Sequence, residues 1–207
     1  MVILTVDQAK QWMIESQKKL VEHKEQLTTL DQAIGDGDHG INMARGFSEV
    51  VDKIEGTEYD TVADVLKSAA MTLTAKVGGA SGPLYGTAFL KMAVSLQGKE
   101  VTAEAFVDAV DAGLEGIQTR GKAEFGEKTL FDVWYQVAAF LHSEPYDTWE
   151  GILEVCQAII EDTREMVALR GRASYLKERS KGHIDPGSMS SFYIFQAFVD
   201  VLEWEKA

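Results

Sequence analysis

Apolar residues recur every three or four positions along most of the chain, which is the spacing of an amphipathic α-helix. The stretch after Gly40 is typical, with Ile41, Ala44 and Phe47 on one face before Gly56 ends it. Eight such segments are predicted: 5 to the aspartate at 31, 41–54, 61–77, 83–96, 102–119, 128–142, 147–169 and 186–204. The alternating pattern of a β-strand is missing, so we expect an all-α fold.

The starts of several segments carry helix-capping residues. Thr5 with Gln8, and Asp147 with Glu150, have the spacing of a capping box, in which two side chains satisfy free backbone N–H groups. Pro186 suits the first turn of the last helix, where no N–H partner is needed. These signals support helix starts at 5, 147 and 186.

Short loops between amphipathic helices predict an up-and-down bundle or closed barrel of eight antiparallel helices. Composition does not shift along the chain, so residues 1–207 are expected to form a single domain. The loops after the first, third, fifth and seventh helices are unusual in composition. In an up-and-down array these four loops lie at the same end, so we expect the chemistry to be there.

The first of these loops, residues 31–40, holds Asp31, Asp36 and Asp38 among three glycines. On one helix, residues two or five apart point roughly 200° or 140° apart, so the carboxylates converge only if the backbone turns sharply at the glycines. Three carboxylates suit a hard cation such as Mg²⁺, Mn²⁺ or Ca²⁺. The spacing does not fit an EF-hand, and a solvated acidic turn is the alternative.

The second loop, residues 78–82, is glycine-rich and leads into a helix. Small residues there let backbone N–H groups approach phosphate oxygens, and Ser81 adds a hydroxyl. The run is not a Walker A motif, because the spaced Gly-Lys-Ser/Thr is absent. A helix C-cap with a tight turn is the alternative.

The third and fourth loops carry positive charge. Residues 120–128 mix charge with glycine, and the fourth loop contributes a basic cluster: Arg170, Arg172, Lys177, Arg179 and Lys181. A solvated loop or a docking site for a partner's acidic surface are alternatives. Carboxylates, phosphate-binding glycines and arginines together are what phosphoryl-group chemistry requires.

Composition narrows the function classes. The formal charge of −13 argues against nucleic acid and anionic membrane surfaces. A single cysteine, Cys156, excludes an internal disulfide and fits a reducing cytoplasm. No signal peptide and no apolar run long enough for a membrane span are recognised.

Three long motifs identify a family. Residues 30–42, 77–87 and 171–187 resemble, in the same order, the nucleotide-binding L subunits of bacterial dihydroxyacetone kinases that take phosphate from the phosphoenolpyruvate phosphotransferase system. Residues 120–124 with Lys128 and Thr129 add a fourth match, and the resemblance runs over essentially the whole chain. It implies a barrel of eight antiparallel helices with the nucleotide at one end.

The resemblance also implies a set of site residues. Asp31, Asp36 and Asp38 would hold two Mg²⁺ ions. The implied ADP or ATP contacts are His39, Gly40, Ile41, Asn42, Gly79, Ala80, Ser81, Gly121, Leu130, Arg172, Asp185, Pro186 and Gly187. Of these, Gly121 and Leu130 would line the base and sugar region.

The family's reaction implies two partners. A phosphohistidine on an M subunit rephosphorylates the ADP that the L subunit retains, and the γ-phosphoryl group passes to dihydroxyacetone on a K subunit. This chain would then need no catalytic residue beyond its metal and nucleotide site. A homodimer, an ATP-exchanging kinase domain of the dihydroxyacetone or fatty acid kinase type, and a non-catalytic co-activator all stay open as alternatives.

Overall fold

The computed structural model describes residues 1–143 and 149–203, and it is helical almost throughout. Its helices are α1 (Val6–Glu22), α2 (Lys24–Ile34), α3 (His39–Glu55), α4 (Val62–Lys76), α5 (Ser81–Leu96), α6 (Ala103–Gly121), α7 (Leu130–Ser143), α8 (Gly151–Asp162) and α9 (Pro186–Glu203), with a 3-10 helix at Arg172–Ser180. Within the described part, none of the helices has both the length and the apolar character that a bilayer crossing demands. The all-α prediction is confirmed apart from one small sheet.

That sheet joins two very short strands, β1 (Val2–Leu4) and β2 (Val101–Thr102), in antiparallel pairing. Val2 lies opposite Thr102, and Leu4 lies opposite Val101 with its side chain buried. The expectation of no strand was wrong here because segments of this length are too short to show alternation. The sheet ties the N-terminus to the start of α6.

The first predicted helix is two helices in the structure. The capping box at its start is confirmed, because Thr5 Oγ1 accepts the Gln8 N–H at 3.3 Å and Gln8 Oε1 accepts the Thr5 N–H at 2.7 Å. The break comes at His23, whose ring stacks on Tyr193 with centroids 4.3 Å apart. Asp31 therefore lies on the last turn of α2 and not in a loop.

The seventh predicted helix ends early. Helix α8 stops at Asp162, well short of residue 169, and Thr163 caps it with its hydroxyl donating to the Ile160 carbonyl at 2.6 Å. Residues after Thr163 turn back toward the cavity described below. The predicted capping box at its start depends on Asp147, which lies outside the described residues.

The helices pack as successive neighbours. Helix α1 contacts α3 and α9, each of α3 to α6 contacts the next, and α7 contacts both α8 and α9. An aromatic cluster fills the interior, in which Trp12 meets Phe89 and Phe198 edge-to-face at 5.5 Å and 5.2 Å between centroids. This packed body holds the ends of its helices in fixed positions.

Candidate functional site

A cavity of about 510 Å³ opens where the four unusual loops meet. Its lining comes from the α2–α3 junction, the start of α5, the end of α6 with Ala123, and residues 128–130, 170–173 and 185–187. The volume is within the ordinary range for a small-molecule site, about 300–1,000 Å³. The structure therefore brings the four loops together at one place, as an up-and-down arrangement of helices would.

Most of the predicted site residues line this cavity. They are Asp31, Asp36, Asp38, His39, Asn42, Gly79, Ala80, Ser81, Gly121, Leu130, Arg172, Asp185, Pro186 and Gly187. Gly40 and Ile41 are not among the lining residues. The Gly40 backbone packs closely against Lys24 and Thr28 of α2, and the Ile41 side chain is exposed.

The three aspartates converge at the junction of α2 and α3. Each offers a carboxylate oxygen, and these oxygens lie within 4.8 Å of one another. Glycine is required in the turn: a Cβ on Gly35 would collide with the Asp31 carboxylate, and Gly37 has a left-handed φ of 75°. The arrangement is an all-oxygen set that fits a divalent cation.

Asp31 is held in place by the backbone that follows it. Its Oδ2 accepts the N–H of Asp38 at 2.9 Å and of His39 at 3.1 Å, and the residue is buried. One carboxylate oxygen is therefore fixed while the aspartate caps the first turn of α3. A buried carboxylate oriented in this way is pre-organised to bind a cation.

His39 connects the junction of α2 and α3 to the glycine-rich loop at the start of α5. Its Nδ1 lies 3.1 Å from Ser81 Oγ, and its Nε2 lies 2.9 Å from Ser190 Oγ. Burial lowers the pKa of His39 to about 4, although the Asp31 carboxylate opposes the shift. The imidazole is neutral at pH 7, so it bridges the two serines with one ring nitrogen donating and the other accepting.

The hydrogen-bond chain continues into the core. Tyr85 is buried, and its hydroxyl lies 2.7 Å from Ser190 Oγ and 2.8 Å from Ser191 Oγ, while it donates to the Gly187 carbonyl at 3.0 Å. Burial raises the pKa of the Tyr85 hydroxyl, which stays protonated. This chain fixes the start of α9 relative to α3 and α5.

Two helices begin at the cavity wall without a capping hydrogen bond from their own N-cap side chain, although Asp31 accepts the first N–H groups of α3. Helix α3 starts at His39 after Asp38, and α5 starts at Ser81 after Ala80. Gly79 adopts a left-handed φ of 67° just before α5. Helix N-termini carry partial positive charge and free N–H groups, so this wall favours an anion such as phosphate.

A basic side faces the aspartates. Arg172 Nη2 lies 2.9 Å from Asp36 Oδ2, with side chains 67% and 36% exposed. Arg170 forks onto Glu127 with distances of 2.7 Å and 3.2 Å, and its hydrogen bond is the main cause that lowers the pKa of Glu127. Cations and carboxylates thus meet at the cavity mouth.

Three buried ionisable residues lie behind this mouth, and two of them were not among the predicted site residues. Lys128 and Asp132 are almost completely buried, and burial lowers the pKa of Lys128 and raises that of Asp132. Asp185, which was predicted, caps α9 by accepting the Ser188 N–H at 2.6 Å, and burial raises its pKa to about 7. Lys128 belongs to the fourth stretch that resembles the family, but nothing in that stretch predicts its burial, and Asp132 resembles an ordinary residue at a helix start.

The remaining wall is apolar. Pro83, Leu84, Ile117, Ala123 and Leu130 line it. An apolar wall beside a polar, charged mouth provides for a ligand with a flat hydrophobic part and an anionic part.

The family model described as the DAK2 domain matches residues 33–200. The PEP-dependent dihydroxyacetone kinase 1, ADP-binding subunit DhaL, of Listeria innocua serovar 6a is 48% identical over 93% of this chain and 95% of that protein. The PTS-dependent dihydroxyacetone kinase, ADP-binding subunit DhaL, of Lactococcus lactis subsp. lactis is 44% identical over 97% of this chain and 100% of that protein. The match is thus nearly full length in both proteins.

Solved structures share the fold. The dihydroxyacetone kinase from C. freundii in complex with AMP-PNP and Mg²⁺ superposes with a TM-score of 0.73 at 24% identity, over 93% of this chain and 33% of that chain. At this identity the likeness shows the fold alone. From the family model and the two full-length relatives, the chain belongs to the family of ADP-binding subunits of phosphoenolpyruvate-dependent dihydroxyacetone kinases.

Proposed function

We propose that the cavity binds ADP and ATP with Mg²⁺, and that the chain is the nucleotide-binding subunit of a phosphotransferase-system dihydroxyacetone kinase. The observation that carries this proposal is the triad of carboxylate oxygens within 4.8 Å, placed beside the starts of α3 and α5 and opposite Arg172. The names of the full-length relatives support the same nucleotide and reaction.

Asp31, Asp36 and Asp38 would hold the metal, and we propose two Mg²⁺ ions because the family resemblance implies them. The donor set fits, because all the ligands are oxygens. The lack of a side chain at Gly35 leaves room for the Asp31 carboxylate. Bound Mg²⁺ would offset the charge of the phosphates during transfer. Asp31 contributes a fixed oxygen, since two backbone N–H groups orient its carboxylate.

The phosphates would lie against the starts of α3 and α5. Gly79, Ala80 and Ser81 offer small side chains and backbone N–H groups there, with His39 and Asn42 beside them. His39 would hold the Ser81 hydroxyl in place through its neutral ring. Of the predicted contacts, Gly40 supports this wall through its packing on α2, while Ile41 lies on the exposed side of α3.

The base and sugar would occupy the apolar side. Gly121 and Leu130 line it together with Leu84 and Ile117. Asp185, Pro186 and Gly187 close the floor, where the Tyr85 hydroxyl binds the Gly187 carbonyl. Arg172 would neutralise phosphate charge at the mouth.

Two partner subunits complete the reaction that we propose. A phosphohistidine on an M subunit phosphorylates the bound ADP, and the γ-phosphoryl group then passes to dihydroxyacetone on a K subunit, giving dihydroxyacetone phosphate. The recognisable residues of this chain all serve metal and nucleotide, so it needs no general base for the sugar. The exposed fraction of Arg172 is consistent with a mouth open to partners.

We also propose the architecture and setting that the resemblance implies. Residues 1–207 would form one domain, a closed barrel of eight antiparallel helices in which α1 and α2 together count as one, and the succession of helix contacts from α1 through α3 to α9 supports closure. The protein would act in the cytoplasm, and a homodimer is a further assembly compatible with this role.

The test is the nucleotide content of the purified protein. The chain is denatured and removed, and the supernatant is assayed for ADP, ATP and magnesium. Near-stoichiometric ADP supports a resident cofactor recharged by a partner subunit. A site that instead exchanges added ATP freely would indicate an ATP-dependent kinase domain, and no affinity for either nucleotide would remove the proposal.

A second measurement asks whether this chain alone can phosphorylate dihydroxyacetone. The purified chain with ATP, Mg²⁺ and dihydroxyacetone is expected to form no dihydroxyacetone phosphate, because the sugar site belongs to a partner. Sugar phosphorylation by this chain alone would contradict the subunit role.

A further inference from the structure

Lys128 is a buried lysine in an unusual backbone position. Its side chain is 1% exposed, and its φ of 61° lies in the left-handed region that side chains seldom adopt. Long cationic side chains are rarely buried to this extent unless their charge is satisfied. The surroundings of the ammonium group therefore explain why the residue is there.

The ammonium is held by backbone carbonyls. Lys128 Nζ donates to the carbonyls of Thr163 at 2.6 Å, Ser180 at 2.7 Å and His183 at 2.6 Å, with Met166 O at 3.4 Å. An ammonium has three protons, so the three short contacts satisfy all of them. Asp185 lies close enough to favour the charged form.

These carbonyls come from the two ends of one segment, residues 163–183. Thr163 and Met166 belong to its beginning, and Ser180 and His183 to its end. The Gly182 N–H also donates to the Arg164 carbonyl at 2.7 Å. Lys128 thus joins the two ends of the long segment between α8 and α9, and we call these joined ends the neck.

Glu127 holds the same segment nearer its tip. Its carboxylate accepts both bonds from Arg170, and its backbone carbonyl accepts the Leu169 N–H at 3.2 Å. Beyond this point the chain is mostly exposed, with the Tyr175 side chain 83% accessible. Little apolar burial is available to fix the tip, so polar ties must do so.

We propose that Lys128 is a positioning residue for nucleotide binding, which with Glu127 holds residues 163–183 so that Arg172 faces Asp36 across the cavity mouth. This inference rests on the proposed function of the cavity. Lys128 is among the cavity-lining residues, but backbone carbonyls already accept its three ammonium protons, so its charge acts through the segment.

The test uses Lys128→Gly, which keeps the left-handed backbone and removes the ammonium. Lys122→Gly is the matched control, because Lys122 also has a left-handed φ, 53°, but is exposed and is not among the cavity-lining residues. In nucleotide-free protein, chymotrypsin is expected to cleave after Tyr175 about tenfold faster in Lys128→Gly, since local opening sets that rate. ADP should dissociate about tenfold faster, which corresponds to about 1.4 kcal/mol. Lys122→Gly should match the unmodified protein in both assays.

Chemical rescue separates positioning from a general loss of structure. n-Butylammonium has the four carbons and three N–H donors that Lys128→Gly lacks, so it should restore both slow cleavage and slow ADP release. Tetramethylammonium carries the charge without N–H donors and should restore neither. Cleavage at the unmodified rate in Lys128→Gly, or equal rescue by the two cations, would overturn the proposal.

The cleavage assay needs no nucleotide, so its outcome is independent of whether the cavity binds ADP. If Lys128→Gly does not fold, as judged by circular dichroism, hydrogen exchange on the unmodified protein replaces it. The Gly182 amide at the neck should then exchange as slowly as amides within α9. Exchange at the rate of a free peptide would reject the proposal.

Discussion

The acidic corner and the basic segment face each other across the cavity, but they are built differently. The corner, residues 31–39, is a short turn in which Asp31 and the next helix start fix each other through N–H bonds at 2.9 Å and 3.1 Å. The basic segment, residues 163–183, depends on Lys128, which is 35 positions before Thr163 in the chain. The conformation of the short turn is set by hydrogen bonds among its own residues, whereas the position of the long segment is set by contacts with residues far away in the chain.

The difference determines what a substitution does. In the corner a change should affect the ligand and leave the helical body intact, because the side chains serve the cation. In the basic segment a change at the supporting residue should release several cationic side chains together. Substitutions on the two sides of the cavity separate these two behaviours.

The largest effect is expected for Asp36→Ala. Removing one of the three carboxylates deprives the proposed metal site of a ligand, and metal stabilisation is worth several kcal/mol, about a thousandfold or more in transfer rate. Phosphoryl transfer in the assembled kinase is measured alongside far-ultraviolet circular dichroism. A large loss of helical signal would show that Asp36 supports the fold and would contradict the local character of the corner.

The second prediction concerns how stability depends on pH through two buried groups, His39 in the acidic corner and Asp185 just after the basic segment. The pKa of His39 is lowered from 6.5 to about 4 by burial, so its contribution to stability is lost as pH falls below 6.5. The pKa of Asp185 is raised from 3.8 to about 7 by burial, so its contribution is lost as pH rises toward 7. Between about pH 4 and 6.5 the two contributions change in opposite directions, each by on the order of 3 kcal/mol over this range.

Single substitutions should expose each slope. The free energy of unfolding in urea is compared between each variant and the unmodified protein, both nucleotide-free. With rising pH, Asp185→Asn should gain stability relative to the unmodified protein, and His39→Gln should lose stability relative to it. Unchanged pH profiles in both variants would mean that neither group is held in the protonation state described here.

The smallest effect is expected for Arg172→Ala, and it has two signs. ADP affinity should fall about tenfold with the loss of a charge-assisted contact, and Mg²⁺ affinity without nucleotide should rise a few-fold because Asp36 loses its competing cation. The exposed ion pair itself contributes about 0–1 kcal/mol, so stability should hardly change. Arg179→Ala removes a cation of the same segment that does not line the cavity, and should change neither affinity.

The sequence predicted the corner well because its information is local. Asp31, Asp36 and Asp38 with their glycines lie within ten residues, and helical geometry alone showed that they need a sharp turn. Amphipathic periodicity likewise predicted most helices, since each buries one continuous stripe. The break at His23 was missed because the apolar stripe continues across it.

The basic segment shows where sequence reasoning stops. Its arginines were visible as a cluster, but nothing near Lys128 in the chain indicates that its ammonium would meet the carbonyls of Thr163, Ser180 and His183. The end of α8 at Asp162 has the same cause, since Thr163 turns its carbonyl toward Lys128. Such features depend on tertiary contacts between distant residues.

Calorimetric titration of ADP into nucleotide-free protein, with Mg²⁺ and with EDTA in its place, tests most directly whether the three aspartates hold a metal that ADP needs. The three aspartates line the same cavity as the helix starts where the phosphates would bind. ADP without metal would therefore meet uncompensated carboxylates. The proposed metal site predicts saturable binding with Mg²⁺ and binding weaker by about a hundredfold or more in EDTA. Equal affinity under the two conditions would contradict it.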